Sequence, residues 1–491
     1  MKSDSKEPLK VLFSASEAEP FIKIGGLGDV AGSLPYALQT YFQNSPNLPK
    51  LDLRIFIPFH SKIPLDRFQT EKIDSFVIGS IEAPIQTEVF LCNDTNMPVY
   101  LIAGNPIPVD SPVYDSNPLI DGKKFAFFSI AVLEFCRRQN WQPDILHVND
   151  WHTALMPFLI RQPHAFNGFY NNARTILGVH NLPFMGGGTQ AGLETFEIPS
   201  SSDFRLPKWS RYMPLPMGFS TADRIIAVSP GYAQEILTPE FSCGLDGFFF
   251  TCTEKVTGIL NGLDTTLWNP LTDPVLVANY SKSSLHKKLN NKQEIIARLG
   301  MEFNERTPLI IMISRLDQQK GLDFAIQALQ NLTERKFQVI ILGVGDPLLE
   351  DACRAFEDEY PERVRWLHRF DQTLSHQLYA AGDMIVIPSR YEPCGLTQMI
   401  AMRYGCIPVA RNTGGLRDTI TDSNSLNGQT GILFQNATAK ECENAIERAL
   451  NTFIDQSRWE IIQKNAMKLD FSWNNSAAKY AAEYNSLRKS K

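Results

Sequence analysis

Lys23-Ile24-Gly25-Gly26-Leu27-Gly28-Asp29-Val30 gathers a cation, paired glycines and a carboxylate into one short stretch. It follows the apolar run Leu9 to Phe13 and leads into an amphipathic segment (Val30, Leu34, Ala37, Leu38, Tyr41), the pattern of strand, glycine turn and helix. Such a turn suits an anion. Gly25 and Gly26 let the backbone approach a phosphate, the first N–H groups of the helix point at it, and Lys23 adds a full charge. The stretch is neither Gly-x-Gly-x-x-Gly nor a P-loop ending in Gly-Lys-Ser/Thr, which speaks against a dinucleotide oxidoreductase. Alone, it would equally serve as a plain β–α connection.

Four more stretches place chemistry just beyond an apolar run. In Ser314-Arg315-Leu316-Asp317-Gln318-Gln319-Lys320-Gly321, two cations five residues apart can grip a diphosphate, the guanidinium as a fork and the ammonium as a point charge. Ser389-Arg390-Tyr391-Glu392-Pro393-Cys394-Gly395-Leu396-Thr397 supplies a carboxylate, Glu392, and a second glycine-containing helix start. Val148-Asn149-Asp150-Trp151-His152 and Gly178-Val179-His180-Asn181 each set polar groups past a strand. Each has a bland alternative, a solvated loop or a helix cap. Together they supply cations for a leaving diphosphate and neutral or acidic groups for sugar hydroxyls, the equipment for a nucleotide-sugar donor. No Asp-x-Asp stands at a strand end, so metal assistance is not indicated and no cofactor is called for.

The elements that must carry these loops alternate. Apolar runs at Leu9 to Phe13 and Leu51 to Ile57 read as strands buried on both faces. Residues 62–120 are less regular, with strand-like pieces at Ile73 to Ile78, Val89 to Leu91 and Val99 to Ile102. The spacing then predicts a helix over Lys124 to Arg138, a strand at Asp144 to Val148, a helix over Trp151 to Arg161 and strands at Arg174 to Val179 and Arg224 to Val228. Residues 181–222, with Gly186-Gly187-Gly188, exceed what a connector needs and are a candidate substrate loop. Turn signals cluster at Gly258 to Asp273, after which the strand–helix rhythm restarts at Leu309. The expectation is an α/β chain of two doubly wound Rossmann-like domains, 1–260 and 261–470, facing a central cleft, with a last helix in 471–491.

Length and composition agree. A chain of 491 residues exceeds what one core usually supports. A net charge of −6 argues against a general nucleic-acid binder, and no apolar run approaches a membrane span. The start is polar and the eight cysteines are scattered, so the sequence reads as a cytoplasmic protein with reduced thiols.

These motifs carry a family resemblance. Lys23-x-Gly-Gly-Leu-Gly-Asp-Val, Asp150-Trp151-His152, Val179-His180-Asn181, Leu260-Asn261-Gly262-Leu263-Asp264, Ser314-Arg315-Leu316-x-x-Gln319-Lys320-Gly321, Pro388 to Gln398 and Thr413-Gly414-Gly415-Leu416 resemble bacterial glycogen synthases and plant starch synthases nearly end to end, as does Asp470-Phe471-Ser472-Trp473. The resemblance implies a GT-B fold and metal-independent, retaining transfer of glucose from ADP-glucose to the 4-hydroxyl end of an α-1,4-glucan such as glycogen or a maltooligosaccharide. It implies donor contacts from Lys23, Gly25 and Gly26, and stabilisation of the departing diphosphate by Arg315 and Lys320. Glu392 would hold sugar hydroxyls, with Cys394, Gly395, Leu396 and Thr397 beside it. His180 would sit near the anomeric carbon, and Asp29, Asp150, Asn181 and Asn261 would make further sugar or nucleotide contacts. The last helix would cross back onto the first domain. Where relatives carry Phe-x-Lys-x-Gly, this chain has Pro214-Leu215-Pro216-Met217-Gly218, and Ile24 stands where Thr is usual. A UDP-sugar transferase of the same fold and an inactive glucan-binding protein remain alternatives, as do same-face and covalent routes to retention.

Overall fold

The structure, a computed structural model, describes residues 7–489 apart from 65, 80–83, 93–96, 109–111, 424, 426 and 427. The chain forms two compact units: residues 1–262 with 473–491, and residues 263–472.

The first unit is built on nine strands: β1 (Leu9–Ser14), β2 (Leu51–Pro58), β3 (Thr70–Ile78), β4 (Ile85–Cys92), β5 (Val99–Gly104), β6 (Ile145–Asn149), β7 (Arg174–Val179), β8 (Arg224–Ala227) and β9 (Val256–Gly258). Their order is β3-β4-β5-β2-β1-β6-β7-β8-β9. From β5 to β9 every pairing is parallel, with Phe13 beside Ile55 on one side and His147 on the other. The central strands are buried along nearly their whole length because helices cover both faces, which is why they read as unbroken apolar runs. The irregular stretch expected over 62–120 resolves into an antiparallel addition at one edge, β3 with β4 and β4 with β5.

Two helices depart from the expected bounds for local reasons. The helix expected from Lys124 begins at Pro118, because the Asn117 side chain caps the Leu119 N–H at 3.0 Å and Pro118 has no N–H to satisfy. The helix expected over 151–161 is two pieces, Asp150–Thr153 and Leu155–Ile160, and the first opens with Asp150 in the left-handed region at φ 53°. The 181–222 stretch folds back over the unit and contains helices at Gln190–Glu194 and Pro214–Thr221.

The Trp473–Lys489 helix completes this unit. Its Trp473, Tyr480 and Tyr484 share one core with Val30, Leu34 and Leu38 of the Gly26–Gln43 helix, and the Tyr484 hydroxyl lies 2.7 Å from His147 Nδ1 on β6.

The second unit has six parallel strands: β10 (Leu309–Ile313), β11 (Gln338–Leu342), β12 (Val364–Leu367), β13 (Met384–Ile387), β14 (Ile407–Arg411) and β15 (Ile432–Phe434). They run in the order β12-β11-β10-β13-β14-β15, so the order in which strands are added reverses between β10 and β13 while all stay parallel. In doubly wound sheets a ligand lies at that reversal, beyond the carboxyl ends of the strands. The loops after β10 and β13 carry Arg315, Lys320 and Glu392.

Candidate active site

In the second unit, Lys320 and Glu392 form the centre. Lys320 Nζ lies 3.0 and 2.7 Å from the two Glu392 carboxylate oxygens, and Ser389 Oγ donates to Oε2 at 2.8 Å. Asp317 ties the two cations of the β10 loop together. Its Oδ1 accepts the Lys320 backbone N–H at 3.1 Å, and its Oδ2 meets the Arg315 guanidinium at 3.3 Å. The Arg315 side chain is 68% exposed, so a ligand phosphate can reach it without displacing the core.

The Glu392 loop is buttressed from behind. The Gly415 N–H donates to the Glu392 carbonyl at 3.0 Å, and a Cβ on Gly415 would lie 1.9 Å from the Cys394 carbonyl oxygen, so only glycine allows this approach. Gly395 takes the left-handed φ of 71°, and Thr397 opens the Thr397–Arg403 helix with Leu396 as its cap. Arg390 leaves the site for Asp323, which it grips with both terminal nitrogens.

In the first unit, the glycine turn already holds an anion, and that anion is the chain's own. Glu17 Oε2 accepts the Ile24 N–H and, at 3.1 Å, the Gly25 N–H. The Gly25 amide is therefore engaged by a side chain rather than open to a phosphate. Lys23 Nζ binds Asp29 at 2.5 Å and Glu19 at 3.2 Å. Burial works against its charge, but the two carboxylates more than offset this and raise the Lys23 pKa. Glu17 Oε1 accepts the Tyr114 hydroxyl at 2.9 Å, and the Tyr114 ring stacks obliquely on His152 at 4.8 Å.

Asp150 joins the neighbouring loops. Its Oδ1 accepts the His180 N–H at 2.7 Å, and the Asn181 backbone adds a second bond. Burial pushes its carboxyl up to about 7 against the pull of those two amides. Burial raises the Glu17 carboxyl against the pull of the Ile24 and Gly25 amides, and the nearby Asp150 adds a smaller push in the same direction. His180 is half-buried, and the desolvation of its ring lowers its pKa to about 4, so the ring is neutral. The Asn149 amide nitrogen donates to Ser14 O at 3.0 Å, so its Oδ1 accepts from His180 Nε2, 3.0 Å away, leaving His180 Nδ1 as an acceptor. Gly178 makes room for this contact, since a Cβ there would lie 2.7 Å from Asn149 Oδ1.

Among the described residues, the buried side-chain atoms without a partner include Asn181 Oδ1, Asn261 Oδ1 and His152 Nδ1. The Asn261 backbone is tied to Val228 O at 3.3 Å rather than to the other site residues. A cleft of about 330 Å³ opens beside Trp151, lined by Asp115, Asp121, Phe184 and Thr189 among others.

Sequence reasoning passed over Glu17, Tyr114 and Asp317. Glu17 sits three residues beyond β1, where the strand-end rule that selected Asp150 and His180 would have found it. Tyr114 lies in an irregular stretch with no periodic signal.

Residues 10–250 match the family model for the starch synthase catalytic domain, and 293–466 match that for glycosyl transferases group 1. The chain is 36% identical to a glycogen synthase of Streptococcus gordonii over 489 residues, covering 98% of this chain and 100% of that one. It is 37% identical to one of Clostridium beijerinckii over 489 residues, 98% and 99% of the two chains. This chain belongs to the glycogen and starch synthase family. Like the rest of that family it is a glycosyltransferase, with a GT-B fold. Among solved structures, the catalytic domain of starch synthase IV from Arabidopsis thaliana, bound to ADP and acarbose, matches with a TM-score of 0.86 at 32% identity, over 98% of this chain and 100% of that one. Sucrose-phosphate synthase from Thermosynechococcus elongatus shares the fold, with a TM-score of 0.60 at 17% identity over 99% and 100% of the chains.

Proposed function

We propose that this synthase transfers glucose from ADP-glucose to the non-reducing 4-hydroxyl end of an α-1,4-glucan with retention of configuration. The observation that carries the reading is the Arg315–Asp317–Lys320–Glu392 constellation on the loops after β10 and β13. Two cations held by carboxylates are ready to exchange onto a diphosphate, and Glu392 and Ser389 can then accept or share sugar hydroxyls. When the bond from the anomeric carbon to the phosphate oxygen breaks, its electron pair leaves with the diphosphate and positive charge develops on the carbon. Preorganised cations at the diphosphate lower that barrier. The incoming 4-hydroxyl attacks from the face the diphosphate leaves, and its proton passes to the departing phosphate oxygen.

The first unit has candidate sugar-binding groups of its own. Asn181, Asn261 and His152 offer buried polar atoms without partners, and the cleft beside Trp151 has the apolar wall and acidic rim that suit a glucan. Adenine as the base of the donor is supported by the solved starch synthase IV complex, which holds ADP and acarbose.

The test is incubation with labelled ADP-glucose or UDP-glucose and a maltooligosaccharide primer, followed by product sizing. Extension one glucose at a time, with ADP-glucose preferred, is expected. Preference for UDP-glucose, or binding of primer without extension, would overturn it.

A further inference from the structure

Lys320 and Glu392 are 72 residues apart in the chain, yet their charged groups meet at 2.7 Å. The sheet alone does not bring them together. The ladder between β10 and β13 pairs Ile310 with Met384 and Ile311 with Ile385, well short of either loop. Beyond those pairs, the two loops have to be held to each other by other bonds.

Most of those bonds come from Arg390, two residues before Glu392. Its backbone N–H donates to the Gln319 carbonyl at 2.7 Å, and its Nη1 donates to the Gln318 carbonyl at 2.7 Å. The same guanidinium takes both Asp323 oxygens, at 2.9 and 2.7 Å, and lies over the Phe324 ring, 5.2 Å from its centroid. Gln319 returns the contact, since its Nε2 donates to the Tyr391 carbonyl at 3.2 Å. The loops touch so closely here that a Cβ on Gly321 would lie 2.3 Å from the Pro388 carbonyl oxygen. Lys320 thus stands between two residues pinned to the facing loop, and Glu392 follows two residues pinned in return.

The Arg390 and Asp323 side chains are 36% and 41% exposed. An ion pair this open to water adds little to stability. What the fork supplies is geometry, because a planar guanidinium can bond a carboxylate and a carbonyl in fixed directions at once. We infer that Arg390 is a positioning residue, a staple that joins the loop after β10 to the loop after β13 and so sets Lys320 against Glu392. The inference rests on the reading of that pair as the diphosphate and sugar site. Arg390 itself is turned away from the site, so its effect passes through Lys320.

The experiment compares Arg390→Ala, Lys320→Ala and the double variant in the full-length protein, with kcat, the KM for maltooligosaccharide and thermal melts measured for each. Arg390→Ala is expected to lower kcat with ADP-glucose at least tenfold while the maltooligosaccharide KM moves less than twofold. In the Lys320→Ala background the same change should cost less than threefold, because both act on one contact. Losses that multiply, or an unchanged kcat in Arg390→Ala, would overturn the inference. If Arg390→Ala does not fold, Arg390→Lys carries the comparison. Its single ammonium cannot hold the Gln318 carbonyl and both Asp323 oxygens, so at least a fivefold loss of kcat is expected and wild-type turnover would count against the staple. Should the wild type transfer no glucose, the proposed activity fails. The staple is then read from ADP binding by calorimetry in the same variants, where losses that multiply overturn it.

Discussion

Arg315 and Lys320 share a loop and a carboxylate but stand in different surroundings, and their variants should differ accordingly. Replacing either with alanine removes one charge from the departing diphosphate and is expected to lower kcat by about 10²–10³. Arg315→Ala should leave melting unchanged, because the side chain is mostly exposed. Lys320→Ala leaves the Glu392 carboxylate, 10% exposed, with Ser389 as its remaining side-chain partner and is expected to cost about 1 kcal/mol as well. Initial rates with ADP-glucose and thermal melts check both, and near wild-type turnover in the two variants would remove their assignment. Both cations stand out in the sequence as charges just past a strand and before a helix, a pattern that a solvated basic loop also fits. Glu17 lies past the first strand, where the same rule points, but its part as the turn's own anion shows only once the turn is folded around it. The Tyr114 hydroxyl bonds Ser16 and Glu17, almost a hundred residues back in the chain, and no periodicity links them.

At the scale of elements, the Glu392 loop is only as fixed as the turn behind it. Gly415→Ala pushes a methyl group into the Cys394 carbonyl, 1.9 Å away, so one of the two loops must move. Overpacking of this kind typically costs about 1–3 kcal/mol. The expected result is a lower melting temperature together with a raised KM for ADP-glucose, and an unchanged KM would show that the turn does not support the site. The central strands were legible as short apolar runs because both of their faces are covered, unlike the half-exposed β3 and β4 at the edge. Their ends were legible to within a residue or two wherever β-branched runs met polar loops, as at Arg174–Val179. The Asp150–Ile160 segment was not. Its apolar spacing fits one helix, but Asp150 in the left-handed region and the turn bonds between Asn149 and Thr153 divide it. Side chains that rearrange a backbone locally leave no trace in hydrophobic spacing.

For the molecule as a whole, the buried histidines and the buried acid give opposite responses to pH. Burial lowers His147 to about 3 and His60 and His180 to about 4, below the usual 6.5. Between those values the unfolded chain binds more protons, so each histidine contributes stability above pH 6.5 that is lost as pH falls through the folded pKa. Asp150 works the other way. Its folded pKa of about 7 exceeds 3.8, so its contribution is fully present below 3.8 and is lost as pH rises through 7. Calorimetric melts from pH 4.5 to 7.5 should show Asp150→Asn gaining on the wild type as pH rises, and His147→Gln gaining on it as pH falls. Parallel curves for either pair would contradict the burial of that group. The division into two α/β units was legible because turn signals interrupt the rhythm once and it then restarts.

The Trp473–Lys489 helix adds a consequence for synthesis. It lies on the Gly26–Gln43 helix and bonds to β6 through Tyr484, yet it follows the entire second unit in the chain. Translation delivers the first unit's sheet early and its last covering piece at the end. While the ribosome makes residues 263–472, the apolar strip around Val30, Leu34 and Leu38 lacks the surface of Tyr480 and Tyr484. The first unit to emerge is therefore the last to close, and the window for misassociation is as long as the second unit takes to make.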